Sequence, residues 1–463
     1  MNSTNQALEE RILRDELKWI SKGELIGALK PLISNYFFTK GKLPIEEVED
    51  ITLERHERRR DNTKSNIYEL TAWIRRYDEA VPTPELFFLK KYRDDASSIS
   101  DPKIETDIEE KKSGLLDFSK SPLINLFKLP LNALRKVIDI DSPEEGYEIE
   151  KAILTVATKN IPLDDYSFAN RPKIQLFPQL LSIGGTAANE FDLRKILLLE
   201  KIGKKSLEER FLEKEHADWR CVVPALNPVI LLHQKLPQYE DEIYSLLHPN
   251  GKRKQRIERF DKDYYLRKFS KYVSILANKD AFLSKKTDIY SKEIDEENTK
   301  KAFNLIAESL MEPKNPKMVT FIQKDGYPWH NMIESLVDAG GVVHGHRAFH
   351  LGTLIGHPSI FLKLEDRERA IKEITKSYIE RWALFDPSIK EYGERELLDE
   401  LSSVIYSSAI YSNLRLAAGR LILNNGNGSI KPLFRTVKEQ IDYFGDKGKP
   451  LLKELQKYGI LEN

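Results

Sequence analysis

Two long segments near the C-terminus repeat apolar residues at α-helical spacing, and this pattern constrains the fold more than any other feature. In 364–385, Ile371, Tyr378 and Trp382 share one stripe, and 394–423 is the longest helical pattern in the chain. Prolines interrupt the other apolar runs unevenly, which argues against a coiled coil or a regular repeat. We therefore predict a mainly α protein: a multi-helix globular fold with at most one or two short β-strands.

Shorter patterns predict individual elements. The charged segment 45–78 is predicted to be a helix. Ser142 and Pro143 are typical of a helix start, because serine can cap the helix and proline suits its first turn. The apolar run 196–199 predicts a helix that is buried on most sides. The best strand candidate is 318–323, which is closed by an Asp-Gly turn.

One polar stretch suggests a domain boundary. Residues 94–113 contain almost no large apolar side chains, so they cannot bury much surface. We predict an N-terminal helical region over 1–100 and a polar linker or surface loop over 101–113. A larger helical domain, 114–463, is predicted to carry the histidine-rich stretch 330–357.

Charge and cysteine content restrict the class of protein. The 73 basic residues balance the 73 acidic ones, so net charge gives no support to binding a polyanion or a membrane surface. The single cysteine, Cys221, excludes an intramolecular disulfide and a multi-cysteine zinc site, and it fits a reducing compartment. No apolar run approaches the roughly 20 residues of a transmembrane helix, and the first residues lack the apolar core of a signal peptide. We expect a soluble, cytoplasmic protein.

The stretch 329–360 concentrates the residues that can do chemistry. It contains five of the nine histidines: His330, His344, His346, His350 and His357. If 329–338 is a helix, His330, Glu334 and Asp338 stand on one face of it. A second helix over 343–355 would place His346 and His350 one turn apart. The resulting helical hairpin would carry a histidine, a glutamate and an aspartate on one arm and two histidines on the other.

This hairpin suggests two kinds of active site. Glu334 or Asp338 with His346 and His350 could bind iron, zinc or manganese, with haem as a weaker alternative. Without a metal, His350 could serve as a general base, with His330 as a second catalytic candidate. Arg347 could orient a small anionic substrate. The hypothesis is a metal- or haem-dependent oxidoreductase or a hydrolase, and structural histidines in a packed helix pair remain the alternative reading.

A second hypothesis is a non-catalytic helical protein that binds nucleic acid or a protein partner through the stretch 252–272. Interleaved basic and aromatic side chains can pair with phosphates and stack on bases. The candidates are Lys252, Arg253, Lys254, Arg256, Arg259, Arg267, Tyr264 and Tyr265. An amphipathic helix with its aromatic residues inside would give the same pattern.

Overall fold

The computed structural model describes residues 10–40, 42, 45–55, 65–77, 81–92, 143–161, 174–182, 185–202, 205–248, 257–279, 293–422 and 430–462. These residues form a four-stranded and a two-stranded antiparallel sheet together with many helices. The fold is therefore α+β, and the predicted mainly α class is wrong. No helix in the described ranges is both long and apolar enough to cross a membrane.

The order of elements separates a sheet-rich part from a helical part. The strands are β1 Ile45–Arg55, β2 Ser65–Arg76, β3 Thr83–Tyr92, β4 Ile196–Glu200, β5 Val319–Gln323 and β6 Val342–His346. The helices of the first half are α1 Lys22–Thr39, α2 Pro143–Asn160, α3 Gly185–Leu193, α4 Leu207–Leu212, α5 Leu226–Gln234, α6 Glu240–Leu247 and α7 Lys262–Ala277. The remaining helices are α8 Glu296–Met311, α9 Arg347–Ile355, α10 Pro358–Phe361, α11 Arg367–Phe385, α12 Glu394–Ile422, α13 Lys431–Asp442 and α14 Lys449–Lys457.

The segment predicted to be a charged helix, 45–78, contains β1 and β2 instead. Every second residue of the middle of β2 is buried, including Tyr68, Leu70 and Ala72. This period of two is the strand pattern. In β1 it is interrupted, because the pairing with β2 is irregular between Ile45 and Glu47 and between Val48 and Asp50. The run 196–199 is likewise β4, which pairs with β3, and not a buried helix. By contrast, α2 begins at Pro143 and β5 falls within the predicted strand, so both of these predictions are confirmed.

The four-stranded sheet has the order β1-β2-β3-β4, and its two faces have different neighbours. Phe87 and Leu89 on β3 belong to a core that also contains Leu29 and Ile33 of α1. Because side chains alternate along a strand, Phe88 and Lys90 point to the opposite face. The fold thus directs Lys90 away from α1 and towards the rest of the molecule.

The helical part is organised around α12, which packs against α7, α8, α9, α11 and α13. The contact with α9 is tight, because a Cβ added to Gly352 would lie 2.5 Å from the carbonyl oxygen of Ile405 and 2.6 Å from Cβ of Ser408. Both neighbours lie on α12, and one of them is backbone, which cannot rotate away. Glycine is therefore required at this helix crossing in spite of its low helix propensity.

Gly352→Ala is expected to lower the free energy of unfolding by about 1–3 kcal/mol, because the methyl group must push the two helices apart. The matched control is Gly419→Ala in α12, where an added Cβ meets nothing within 4 Å. This control should stabilise the helix by up to about 1 kcal/mol. Urea unfolding followed by circular dichroism measures both changes. Equal effects at the two positions would contradict the close packing of α9 on α12.

Several predicted features lie outside the described residues. They are the linker 101–113 and the side chains of Lys252, Arg253, Lys254 and Arg256. The division into 1–100 and 114–463 stays a prediction.

Candidate functional site

A buried lysine lies between two carboxylates that come from distant parts of the chain. Nζ of Lys90, on β3, is 2.6 Å from Oε2 of Glu150 on α2 and 2.8 Å from Oδ1 of Asp338. The side chains of Lys90 and Glu150 are only 6% and 2% exposed, whereas that of Asp338 is 29% exposed. The cluster is therefore closed on the side of α2 and reaches solvent on the side of Asp338.

The electrostatics of this cluster keep the lysine charged. Burial lowers the pKa of Lys90, but the carboxylates of Asp338 and Glu150 raise it by more, so it lies above its usual value. Burial also raises the pKa of Glu150, and this effect outweighs the lowering by Lys90. The hydroxyl of Tyr92 donates a further hydrogen bond to Glu150. Lys90 thus carries a positive charge in a site that is largely shielded from water.

Asp338 is held in an unusual backbone conformation by the turn that leads into β6. Its φ of 65° and ψ of 59° are left-handed, a region that aspartate tolerates better than most residues. The side-chain amide of Gln323 donates to the carbonyl oxygens of Val337 and Asp338, at 2.5 and 3.0 Å. The same turn packs closely against α2 at Gly340, where an added Cβ would lie 3.1 Å from the carbonyl oxygen of Gly146. This packing links the position of Asp338 to that of α2.

A second aspartate, Asp325, lies in the turn that follows β5. Its Oδ1 is 2.9 Å from a guanidinium nitrogen of Arg415 on α12, whose side chain is 11% exposed. Arg415 also donates to the carbonyl oxygen of Lys324, at 3.1 Å. One arginine thus fixes both the carboxylate and the backbone of this turn.

His330 connects the two aspartates. Its Nδ1 lies 2.5 Å from the carbonyl oxygen of Asp325 and therefore donates a hydrogen bond to it. Its Nε2 lies 3.9 Å from Oδ2 of Asp338. The two turns, one after β5 and one before β6, therefore form a single polar site together with Lys90.

The predicted helical hairpin is wrong. Pro328–His330 is one turn of 3₁₀-helix, Asn331 and Leu336 form a short antiparallel bridge, and Val342–His346 is a strand. Proline at the start of the first segment and glycines at 340 and 341 suit turns, not a continuous helix.

Two of the predicted metal ligands are buried in the helical part. Nδ1 of His346 caps α9 by accepting a hydrogen bond from the backbone N–H of Ala348. His350 packs against Gly326 and His233. Burial lowers the pKa of each of these histidines to about 3, with smaller contributions from Arg347 at His346 and from His330 at His350.

The predicted metal centre does not form. Among the described residues, no group of three or more His, Cys, Asp or Glu side chains is placed to hold a metal ion. Glu334 contacts a different segment, accepting a backbone hydrogen bond from Gln175. The hypothesis of a metal- or haem-dependent oxidoreductase or hydrolase is wrong, and the two histidines predicted to be metal ligands, His346 and His350, are buried in the core.

Arg347, which is predicted to orient a substrate, is instead in contact with other residues of the protein. Its Nε donates to the carbonyl oxygen of Lys317 at 2.5 Å, and its guanidinium lies 4.1 Å from the ring centre of Trp382. The side chain is buried. Of the residues predicted in this stretch, only His330 and Asp338 are in the polar site beside Lys90.

The nucleic-acid hypothesis is also wrong. Tyr264 and Tyr265 are 6% and 0% exposed and pack among other aromatic rings of the core. Arg259 and Arg267 are exposed. The described part of the stretch is therefore an ordinary amphipathic segment, and its aromatic rings are not available for stacking on bases.

Three residues of the observed site are absent from the sequence predictions: Lys90, Glu150 and Asp325. Their sequence signals are weak when taken singly. Lys90 follows the apolar run Phe-Phe-Leu in the region predicted to be helical, and Asp325 belongs to a predicted Asp-Gly turn. A lysine within a buried strand is the one signal that could have marked the site.

Comparisons with known proteins give only distant similarity. No family model and no curated protein sequence matches the chain. The choline kinase of Cryptosporidium parvum Iowa II aligns over 89% of this chain and 91% of its own, with 11% identity and a TM-score of 0.40. The ethanolamine kinase of Plasmodium vivax aligns over 95% of this chain and 94% of its own, with 11% identity and a TM-score of 0.42. Similarity at this level does not identify a family.

Proposed function

We propose that the chain is a phosphotransferase whose phosphoryl donor is a magnesium–nucleoside triphosphate. The observation that carries this proposal is the buried cluster of Lys90, Glu150 and Asp338. In protein kinases, a lysine on the third strand pairs with the donor phosphates and with a glutamate on the adjoining helix. An aspartate before a glycine in the next catalytic turn holds the metal of the nucleotide. Here β3, α2 and the Asp338 turn supply the same three groups.

The energetics of burial support a functional role for this cluster. Replacing a buried ion pair by apolar residues is often neutral or stabilising, so such a pair is not needed for stability. Lys90 is nevertheless balanced by two carboxylates, and one of them remains open to solvent. An anionic ligand that enters from the side of Asp338 would find a preformed cation.

The catalytic turns match the kinase pattern in part. Gln-Lys-Asp at 323–325 stands in place of His-Arg-Asp, and Asp-Ala-Gly at 338–340 in place of Asp-Phe-Gly. The chain departs from the pattern at His330, which occupies the position of the usual asparagine, five residues after Asp325. It also has no glycine in 42–113, so a glycine-rich turn over the phosphates is missing from this sequence. The proposal therefore depends on the lysine and the two aspartates.

In the proposed transfer, each group has a separate role. Lys90, oriented by Glu150, donates to the phosphate oxygens of the donor. Asp325, oriented by Arg415, accepts the proton of the acceptor hydroxyl as its oxygen attacks the γ-phosphorus. The bond between that phosphorus and the β–γ bridging oxygen breaks, and the nucleoside diphosphate leaves.

The carboxylate of Asp338 fits the metal of the nucleotide. Magnesium in such sites is bound by one or two carboxylates together with substrate phosphates, and it neutralises the charge that develops during transfer. Asp338 can supply such a carboxylate, and the phosphates of the nucleotide would supply the other ligands. A cytoplasmic location, which we also infer, would supply the nucleotide and keep Cys221 reduced.

The experiment that tests the proposal is calorimetric titration of magnesium–ATP and magnesium–GTP into the full chain. We expect one site per chain for at least one nucleotide, and Lys90→Met should weaken its binding by about 10- to 100-fold, the value of one charge-assisted hydrogen bond. Because Glu150 would then be buried without its partner, thermal unfolding of the variant must show that it is folded.

The control is Lys317→Met, which removes a lysine that pairs with Asp386 in the helical part. It should leave nucleotide binding unchanged. Absence of binding to the wild-type chain, or equal binding by a folded Lys90→Met variant, would contradict the proposed function.

A further inference from the structure

We propose that the donor is GTP in preference to ATP, and that the pair of Lys201 and Glu69 recognises guanine. This inference rests on the proposed function, because it concerns the base of the same nucleotide. Nζ of Lys201 lies 2.9 Å from Oε2 of Glu69, and the two side chains are 29% and 30% exposed. Lys201 can donate hydrogen bonds, and Glu69 can accept them, at the edge of a nucleotide base that lies beside the pair.

The pair lies on the same face of the sheet as Lys90. Glu69 on β2 is directly opposite Phe88 on β3, and directly opposed residues point to one face. Phe88 is two residues before Lys90 and shares its face. Lys201 follows β4 immediately, and its Nζ lies 5.8 Å from the ring centre of Phe88. The three side chains therefore form one cluster on the face that carries the phosphate-binding lysine.

The spacing along the strands suits a nucleotide. Lys90 is opposite Leu197 on β4, and Phe88 is opposite Leu199. The guanine-binding pair is thus displaced from Lys90 by two to four residues, or about 7–13 Å at the usual rise of a strand. A nucleotide whose phosphates lie at Lys90 would place its base near Phe88 and the pair of Lys201 and Glu69.

The chemistry of the pair favours guanine. The carboxylate of Glu69 can accept from N1–H and from the 2-amino group of guanine with its two oxygens, while the ammonium of Lys201 donates to O6. Adenine offers one amino donor and one ring-nitrogen acceptor to the same pair, so it makes one fewer charge-assisted hydrogen bond. The difference predicts tighter binding of GTP by about tenfold, or about 1.4 kcal/mol.

Calorimetry with GTP, inosine triphosphate and ATP, each with magnesium, tests this inference without altering the protein. Inosine triphosphate lacks only the 2-amino group, so it should bind about tenfold more weakly than GTP. ATP should also bind about tenfold more weakly. Binding of ATP as tight as that of GTP, or equal binding of GTP and inosine triphosphate, would overturn the guanine assignment while leaving the proposed function intact. Failure of all three nucleotides to bind would overturn both.

A variant makes the test specific for the pair. Glu69→Gln keeps the size of the side chain but removes its charge and one acceptor. It should weaken GTP binding about tenfold and ATP binding less, so that the preference for GTP falls. The control Glu312→Gln removes the carboxylate of a comparable surface pair with Lys262. This control should preserve the preference for GTP. An unchanged preference in a folded Glu69→Gln variant would overturn the role of the pair.

Discussion

Replacing Asp325 by asparagine is expected to slow phosphoryl transfer by about 10²–10⁴-fold, the usual contribution of a positioned general base. The amide retains the shape of the carboxylate but cannot take the proton of the acceptor hydroxyl. Nucleotide binding should be nearly unchanged, because Lys90 and Asp338 carry the contacts to the donor. The rate is measured as phosphate released to water from the bound nucleoside triphosphate, and binding is measured by calorimetry.

Two variants separate catalysis from stability. Asp325→Asn also weakens the ion pair with Arg415, so unfolding by urea must be followed beside the rate. Asp386→Asn, which breaks the pair with Lys317 in the helical part, is the matched control and should not affect the rate. A transfer rate that stays within a few-fold of wild type in a folded Asp325→Asn variant would exclude Asp325 as the base.

Acid is expected to destabilise the protein strongly between pH 6.5 and pH 5. Burial lowers the pKa of four histidines: to about 3 at His346, His350 and His357, and well below the usual value at His233. Such groups are neutral in the folded chain but take up protons near pH 6.5 once it unfolds. Their contribution to stability is therefore complete above pH 6.5 and is lost progressively as the pH falls towards 3.

The size of this loss follows from proton uptake. Each of the three histidines whose pKa lies at about 3 costs about 1.4 kcal/mol per pH unit below its unfolded pKa, which is about 2 kcal/mol at pH 5. Together these three groups cost about as much as the whole stability of a marginally stable protein, and His233 acts in the same direction. Urea unfolding at half-unit steps of pH gives the slope of the free energy of unfolding, and hence the number of protons taken up.

The variant His346→Asn tests one of these histidines alone. Asparagine can still cap α9, so the main loss is the titrating ring. We expect the number of protons taken up on unfolding between pH 6 and pH 5 to fall by about one. The exposed His216, replaced in the same way, is the control. An unchanged slope in His346→Asn would mean that this ring is protonated in the folded chain as well.

The parts of the fold with simple periodicity could be predicted from sequence. Helices α11 and α12 begin and end within a few residues of the apolar patterns at 364–385 and 394–423. Strands β1 and β2 could not be predicted in this way. Irregular pairing in β1 interrupts the alternation of buried and exposed positions, and the many charges resemble a solvated helix face.

The candidate site could be predicted only in fragments. His330 and Asp338 were expected to be functional, but on a helical hairpin that does not form. Lys90 and Asp338 are 248 residues apart in the sequence, and their contact arises from the way β3 packs against the turn before β6. His346 and His350 are predicted to be metal ligands, but His346 caps a helix and His350 fills the core. In the sequence, histidines in these structural roles have the same spacing as a pair of metal ligands.

The most direct test of the nucleotide site is chemical labelling of the full chain with an acyl-phosphate derivative of GTP. The ammonium of Lys90 first loses a proton, and its amine then attacks the acyl carbonyl carbon. An amide bond forms, the bond from that carbon to the phosphate oxygen breaks, and the nucleotide phosphate leaves. Peptide mass spectrometry should find the acyl group on Lys90, and excess magnesium–GTP should suppress this label. Labelling that avoids Lys90 both with this derivative and with the corresponding derivative of ATP, or labelling that excess nucleotide does not reduce, would contradict a phosphate-binding role for the buried lysine.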